Sequence, residues 1–241
     1  MFSVFSFKKC ILDTGLLQDM TDIHSHLLPG VDDGMEDDLS SCDACRYLQS
    51  IGVRRIFLTS HIMEDLPDNR PAALKEKYQS YLVQNPTDIE FRLAGEYMLD
   101  NGFMGQLEEG VLTIGEKYVL VETSYLGAYP EARNMLYELC VRGYQPLIAH
   151  PERYLYLSLE VLERMKGKQY SFQLNLMSLA GVYGKDVQKR ALHLLKSGFY
   201  DFVGSDIHNL RVYRHALASL YLSKEELHQL ERLLENNRSL P

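Results

Sequence analysis

Short apolar runs alternate along the chain with amphipathic stretches of helical period. The apolar runs at 21–24, 53–60, 89–95, 118–122, 145–149, 170–175 and 199–204 read as strands. Helical spacing places helices at 38–50, 71–83, 102–108, 130–142, 161–165, 185–196 and 222–235, the last opening at the N-cap Ser223. Seven strands separated by helices is the pattern of a parallel sheet with crossover helices. No glycine-rich phosphate loop follows the first strand, so a closed or nearly closed barrel fits better than an open nucleotide-binding sheet. The 241 residues suffice for one α/β barrel or two small domains. No low-complexity linker interrupts them, and one barrel over 21–241 after an extension at 1–20 is the economical reading.

Composition narrows the chemistry. Hydrophobic residues at 46% and charged residues at 24% are ordinary for a globular chain. A net charge of −8 argues against nucleic acid or an acidic membrane as main partner, so an anionic substrate needs a local positive centre. The extension is aromatic and then basic (Phe2, Phe5, Phe7, Lys8, Lys9). It lacks the apolar run of a signal peptide, and a locally docked or loose arm is preferred over one touching a membrane. Cys10, Cys42, Cys45 and Cys140 do not form a disulfide framework, which fits a reducing cytoplasm. Cys42 and Cys45 fall inside a helical run, where small core-facing residues are expected rather than a redox pair.

The chemistry stands at the strand ends. The first strand carries His24 and His26 at i and i+2, so both imidazoles share one face. Asp32 and Asp33 follow in a Pro/Gly-punctuated turn. The later strands end in His61, Glu96, Glu122, His150 and Asn175, and the seventh in Asp206 and His208. In a barrel these ends converge on the face where active sites are built. Imidazole and carboxylate without cysteine suit zinc, manganese or iron, and eight or nine ligands are too many for one ion. Two or three ions follow, with Glu96 bridging. No cysteine is followed six positions later by arginine, which excludes the thiolate phosphatase loop.

The runs D-I-H-S-H-L-L-P-G-V-D-D-G (22–34), T-S-H (59–61), G-E (95–96), V-E-T (121–123), A-H-P-E-R-Y (149–154) and S-D-I-H-N (205–209) resemble the PHP superfamily of metal-dependent phosphoesterases. Within it, they resemble the bacterial tyrosine-protein phosphatases of capsular and exopolysaccharide loci. The resemblance implies a distorted (β/α)7 TIM-like barrel with three divalent ions, manganese first and iron or zinc as alternatives. It implies His24, His26, Glu96 and Asp206 on the first ion, and Glu96, Glu122 and His150 on the second. His61, His208 and an aspartate, Asp33 before Asp32, fall on the third. Arg153 would contact phosphate, with His61, Asp206 or a metal-bound water as acid to the leaving group. A second phosphate arginine is open between Arg211 and Arg214. The implied partner is a phosphotyrosine-bearing bacterial tyrosine kinase, and the implied location the cytoplasm or the inner membrane face. A phosphatase of histidinol-phosphatase type and a non-catalytic regulator of polysaccharide export are the competing readings. Tyr125, Tyr129, Tyr154 and Tyr156 either rim a peptide groove or pack locally.

Overall fold

Parallel pairing of neighbours in chain order builds the molecule. The computed structural model describes residues 7–241; Phe2 and Phe5 of the expected arm lie outside them, and Phe7 is exposed. From the N-terminus the elements are β1 (Lys9–Cys10), β2 (Met20–Asp22), α1 (Asp38–Ser50), β3 (Val53–Leu58), β4 (His61–Ile62) and α2 (Pro71–Gln84). Next come β5 (Glu90–Leu93), β6 (Glu96–Met98), α3 (Phe103–Glu108), β7 (Tyr118–Glu122), α4 (Ala132–Val141) and β8 (Gln145–Ala149). The chain then forms α5 (Leu159–Gly167), β9 (Ser171–Asn175), α6 (Leu176–Leu179), α7 (Lys185–Lys196) and β10 (Phe202–Gly204), and finishes with α8 (Leu210–Ser219), β11 (Tyr221–Leu222) and α9 (Lys224–Arg238).

Two parallel sheets, β2-β3-β5 and β4-β6-β7-β8-β9-β10, make one distorted ring. The expected strands 53–60 and 89–95 each break near their ends. The chain steps from β3 to β4 and from β5 to β6, while Ala94 N still donates to Leu58 O and Glu96 N to Ser60 O across the step. The ring closes where Ser25 bridges Ile207 in parallel and Asp206 N donates to His24 O. Closure demands a very close approach: a Cβ on Gly204 would stand 2.5 Å from Cβ of His24. Lower down the same seam, buried Asn237 of α9 donates to Thr21 O and Val203 O and accepts from Val203 N.

Strand alternation then layers the interior. Ile23, Phe57, Ala94, Leu120, Leu147, Ala149 and Phe202 form an apolar plug. Two residues beyond Ala94 and Leu120, on the same faces, come Glu96 and Glu122. The larger core lies between the ring and its helices. The extension folds onto this frame: β1 pairs antiparallel with β11, Ile11 N donates to Leu220 O, and Ile11 is fully buried. Helix α8 went unread in the sequence, although Asn209 caps it and Tyr213, Ala216 and Leu217 give it a buried i, i+3, i+4 stripe. Among the described residues no helix is long and apolar enough to cross a membrane.

Candidate metal centre

Nine acidic and histidine side chains from six strand ends and one turn converge above the plug. His24, His26, Glu96 and Asp206 form one group whose donor atoms all lie within 4.8 Å of one another. His26, Asp33, His61 and His208 form a second such group, and His61, Glu96 and Glu122 a third. Glu96 sits at the centre: its Oε2 lies 3.1 Å from Nε2 of His24, 3.2 Å from Nε2 of His26 and 3.3 Å from Nδ1 of His61. His150 Nε2 reaches Glu96 at 3.2 Å and Glu122 at 3.9 Å. His61 faces both ways, with Nδ1 3.0 Å from Glu122 and Nε2 3.4 Å from Asp33.

The turn after β2 separates the two aspartates. Asp33 is 74% exposed at its side chain and reaches His208 Nε2 at 3.2 Å. Asp32 is buried and looks the other way, accepting from Nδ1 of His26 at 2.9 Å and from the backbone N–H of His61 and Gly34. It therefore turns Nε2 of His26 inward, the arrangement by which a carboxylate orients a metal-binding imidazole. The turn needs Gly34, where a Cβ would stand 2.2 Å from the His26 carbonyl oxygen. Gln173 and Asn175 of β9, unread as site residues, do similar work. Gln173 Oε1 holds Nδ1 of His24 at 3.0 Å, and Asn175 Nδ2 donates to Asp206 Oδ2 at 2.6 Å. Their signal was inward alternation on the sixth strand. His150 and Asp206 adopt positive φ, 32° and 50°, a strained backbone of the kind found where a site over-determines it.

Electrostatics and geometry agree on what fits. Burial opposes charge on Glu96, Asp206, Asp32, His24, His26 and His61. Against it, the surrounding imidazoles hold Glu96 and Asp206 below the usual carboxylate range, and His26 with His61 holds Asp32 at about 2. His24 and His26 are raised by their carboxylate neighbours despite complete burial. His61 reaches about 10 against burial and the His26 charge, through Asp33, Glu122 and Glu96. The carboxylates thus require positive charge in their midst. Buried Glu96 Oε2 and His61 Nδ1 make no aligned hydrogen bond although partners stand near them. Lone pairs that converge on a point rather than pair with one another suit divalent cations.

The cluster floors a cavity of about 460 Å³ that also exposes Arg153, Tyr125, Tyr183, Met63, Met98 and Met177. Arg153 donates to Asp206 Oδ2 at 3.1 Å, and its guanidinium lies 4.1 Å from the ring centres of both Tyr125 and Tyr183. Arg211 and Arg214 instead line an adjoining hollow with His208 and Asn209, and Arg214 stacks over Tyr47. Of the four tyrosines singled out in sequence, Tyr125 enters the cavity. Tyr154 is fully buried beside it, while Tyr129 and Tyr156 line other hollows.

Comparison with known proteins adds independent support. Residues 20–229 match the family described as capsular polysaccharide synthesis, CpsB/CapC. The chain is 31% identical over 235 residues to tyrosine-protein phosphatase YwqE of Bacillus subtilis (strain 168), spanning 92% of this chain and 91% of that one. It is 28% identical over 245 residues to tyrosine-protein phosphatase CpsB of Streptococcus agalactiae, spanning 92% and 98%. Among solved structures it resembles a chain from the crystal structures of YwqE from Bacillus subtilis and CpsB from Streptococcus pneumoniae, described as unique metal-dependent tyrosine phosphatases. That match has a TM-score of 0.73 and 28% identity, and covers 90% of this chain and 95% of the other. A phosphotriesterase homology protein from Escherichia coli shares the fold at a TM-score of 0.56 and 13% identity, covering 92% and 98%.

Proposed function

The chain belongs to the CpsB/CapC family of capsular polysaccharide synthesis, and from that premise we propose that it is a metal-dependent protein-tyrosine phosphatase. The observation that carries the reading is the convergence of buried carboxylates and imidazoles on Glu96, beside an arginine held at the mouth of the same cavity. In this reading His24, His26, Glu96 and Asp206 hold one divalent ion and Glu96, Glu122 and His150 a second. Asp33, His61 and His208 hold a third, with manganese the first expectation. Such ions, when bound, acidify water toward neutral pH and offset phosphoryl charge.

The protein's own groups do the rest. Arg153 presents a planar fork to two phosphoryl oxygens, and its stacking between Tyr125 and Tyr183 limits the entropy lost on binding. The methionines and Tyr125 give the substrate's aromatic ring an apolar wall. His61, which lines the same cavity as Arg153, or a metal-bound water would pass a proton to the leaving oxygen, while Asp206, held below the usual carboxylate range and paired with Arg153, stays ionised. Tyrosinate, with a pKa of about 10, leaves more readily than an alkoxide. The physiological substrate in this reading is the phosphorylated tyrosine-rich tail of a bacterial tyrosine kinase of capsule synthesis, met at the cytoplasmic face of the membrane.

The test compares turnover of a phosphotyrosyl peptide, a phosphoseryl peptide and histidinol phosphate by manganese-loaded protein. The phosphotyrosyl peptide is expected to lead in kcat/KM by about 100-fold, and Glu96→Gln to abolish its hydrolysis. Preference for histidinol phosphate, or undiminished turnover by the Glu96→Gln variant, contradicts the proposal.

A further inference from the structure

Behind the metal cavity, between α4 and α5 on the outer face of β7 and β8, lies a second cavity of about 190 Å³. Val121, Leu136, Ile148 and Met165 give it apolar walls. Arg133, Arg164 and Lys168 line it as well, all three exposed to solvent. Arg164 pairs with Glu160 of its own helix at 3.3 Å, whereas Arg133 and Lys168 have no carboxylate within ion-pair distance among the described residues. In a chain of net charge −8, Arg133 and Lys168 leave positive charge unpaired among the described residues at the rim of an apolar hole, whose acidic lining residue, Glu122, turns its carboxylate to His61.

Size and charge together define an occupant. An apolar cavity of about 150 Å³ accepts a benzene ring, so this one holds a single aromatic ring with a short arm, and no helix or larger segment. We propose that the cavity binds a small aryl-alkyl anion, its ring against Val121 and Ile148 and its carboxylate or phosphate held by Arg133, Arg164 and Lys168. Apolar walls with a few charged groups at the rim are the usual makeup of a site for such a ligand.

The position gives the cavity a route to the chemistry. Glu122 borders both cavities. Tyr156 and Tyr154 line the second one, and the Tyr154 ring stacks on Tyr125 at 6.0 Å, which in turn covers Arg153. A ring seated beside Tyr154 is two aromatic contacts from that guanidinium. An effect on turnover rests on the function proposed above; binding itself does not.

Binding is therefore measured without turnover, by calorimetry of hydrocinnamate with the manganese-loaded full chain. Saturable binding at one site is expected. Affinity should fall at least about tenfold for hydrocinnamyl alcohol, which lacks the charge, and for propanoate, which lacks the ring. The same loss is expected in Arg133→Glu/Lys168→Glu, whose positions are exposed, and in Ala132→Phe, which fills the cavity. Both variants are to be compared at equal metal content and melting temperature. Absence of saturable binding, equal affinity for the alcohol, or affinity unchanged by the charge reversal or by Ala132→Phe overturns the proposal.

Discussion

Adjacent aspartates divide two tasks at the residue scale. Asp33 is exposed and joins His61 and His208, while Asp32 is buried, accepts three N–H groups and fixes the tautomer and aim of His26. Asp33→Asn should remove one ion's worth of binding and leave the melting temperature unchanged, since its side chain packs against little. Asp32→Asn should weaken metal binding about 10- to 100-fold and lower the melting temperature, because an amide places a donor against donors. Metal titration against a chelating dye, with thermal melts, separates the two; the reverse pattern would exchange their roles. The sequence placed His24, His26, His61, Glu96, Glu122, His150, Asp206 and His208 at strand ends because imidazoles and carboxylates in that setting are costly without a shared purpose. It left the aspartates open because both sit in one turn, and only the folded turn shows which of them reaches His61 and His208. Gln173 went unnamed and Asn175, though it stands at the sixth strand's end, had no role assigned, because neutral amides carry no such signature.

Strand breaks and helix caps decide the outcome at the element scale. Continuous runs at 53–60 and 89–95 hid the steps into β4 and β6, since periodicity reports which face is apolar and not where a strand changes sheet. Those steps aim His61 and Glu96 across the cavity. Helix α9 was legible from its capping box, in which Ser223 Oγ accepts from Glu226 N and the Glu226 carboxylate accepts from Ser223 N. Burial resists the charge on Glu226, but the Ser223 N–H and Lys196 hold its pKa below the usual value. A carboxyl depressed in the folded state stabilises above its unfolded pKa and loses that contribution as pH falls through the folded one. Glu226→Gln should therefore narrow the gap in melting temperature between pH 7 and acid below about pH 4, the unfolded Glu range. An unchanged acid profile would refute this assignment. From the same helix, Asn237→Leu strands backbone groups of Thr21 and Val203 and should cost about 3 kcal/mol in urea unfolding.

Nine parallel strands in two sheets, at the scale of the whole molecule, gather groups from residues 24 to 208 into one cavity, above an apolar plug that anchors the same ring. The α/β order and the barrel were readable because crossover helices punctuate the strands. The docking of residues 9–11 onto the strand before α9 was not, since two-residue pairings carry no period. A chain of net charge −8 built around clustered carboxylates has one simple route to an anionic substrate, which is to bind cations first. The direct measurement strips the protein with chelator, returns manganese stepwise, and records bound metal and phosphotyrosyl-peptide turnover together. The stripped protein should show no turnover, recovery should track occupancy up to three ions, and Glu96→Gln should lose the two ions that Glu96 would share and recover no turnover. Full turnover by the stripped protein would contradict this.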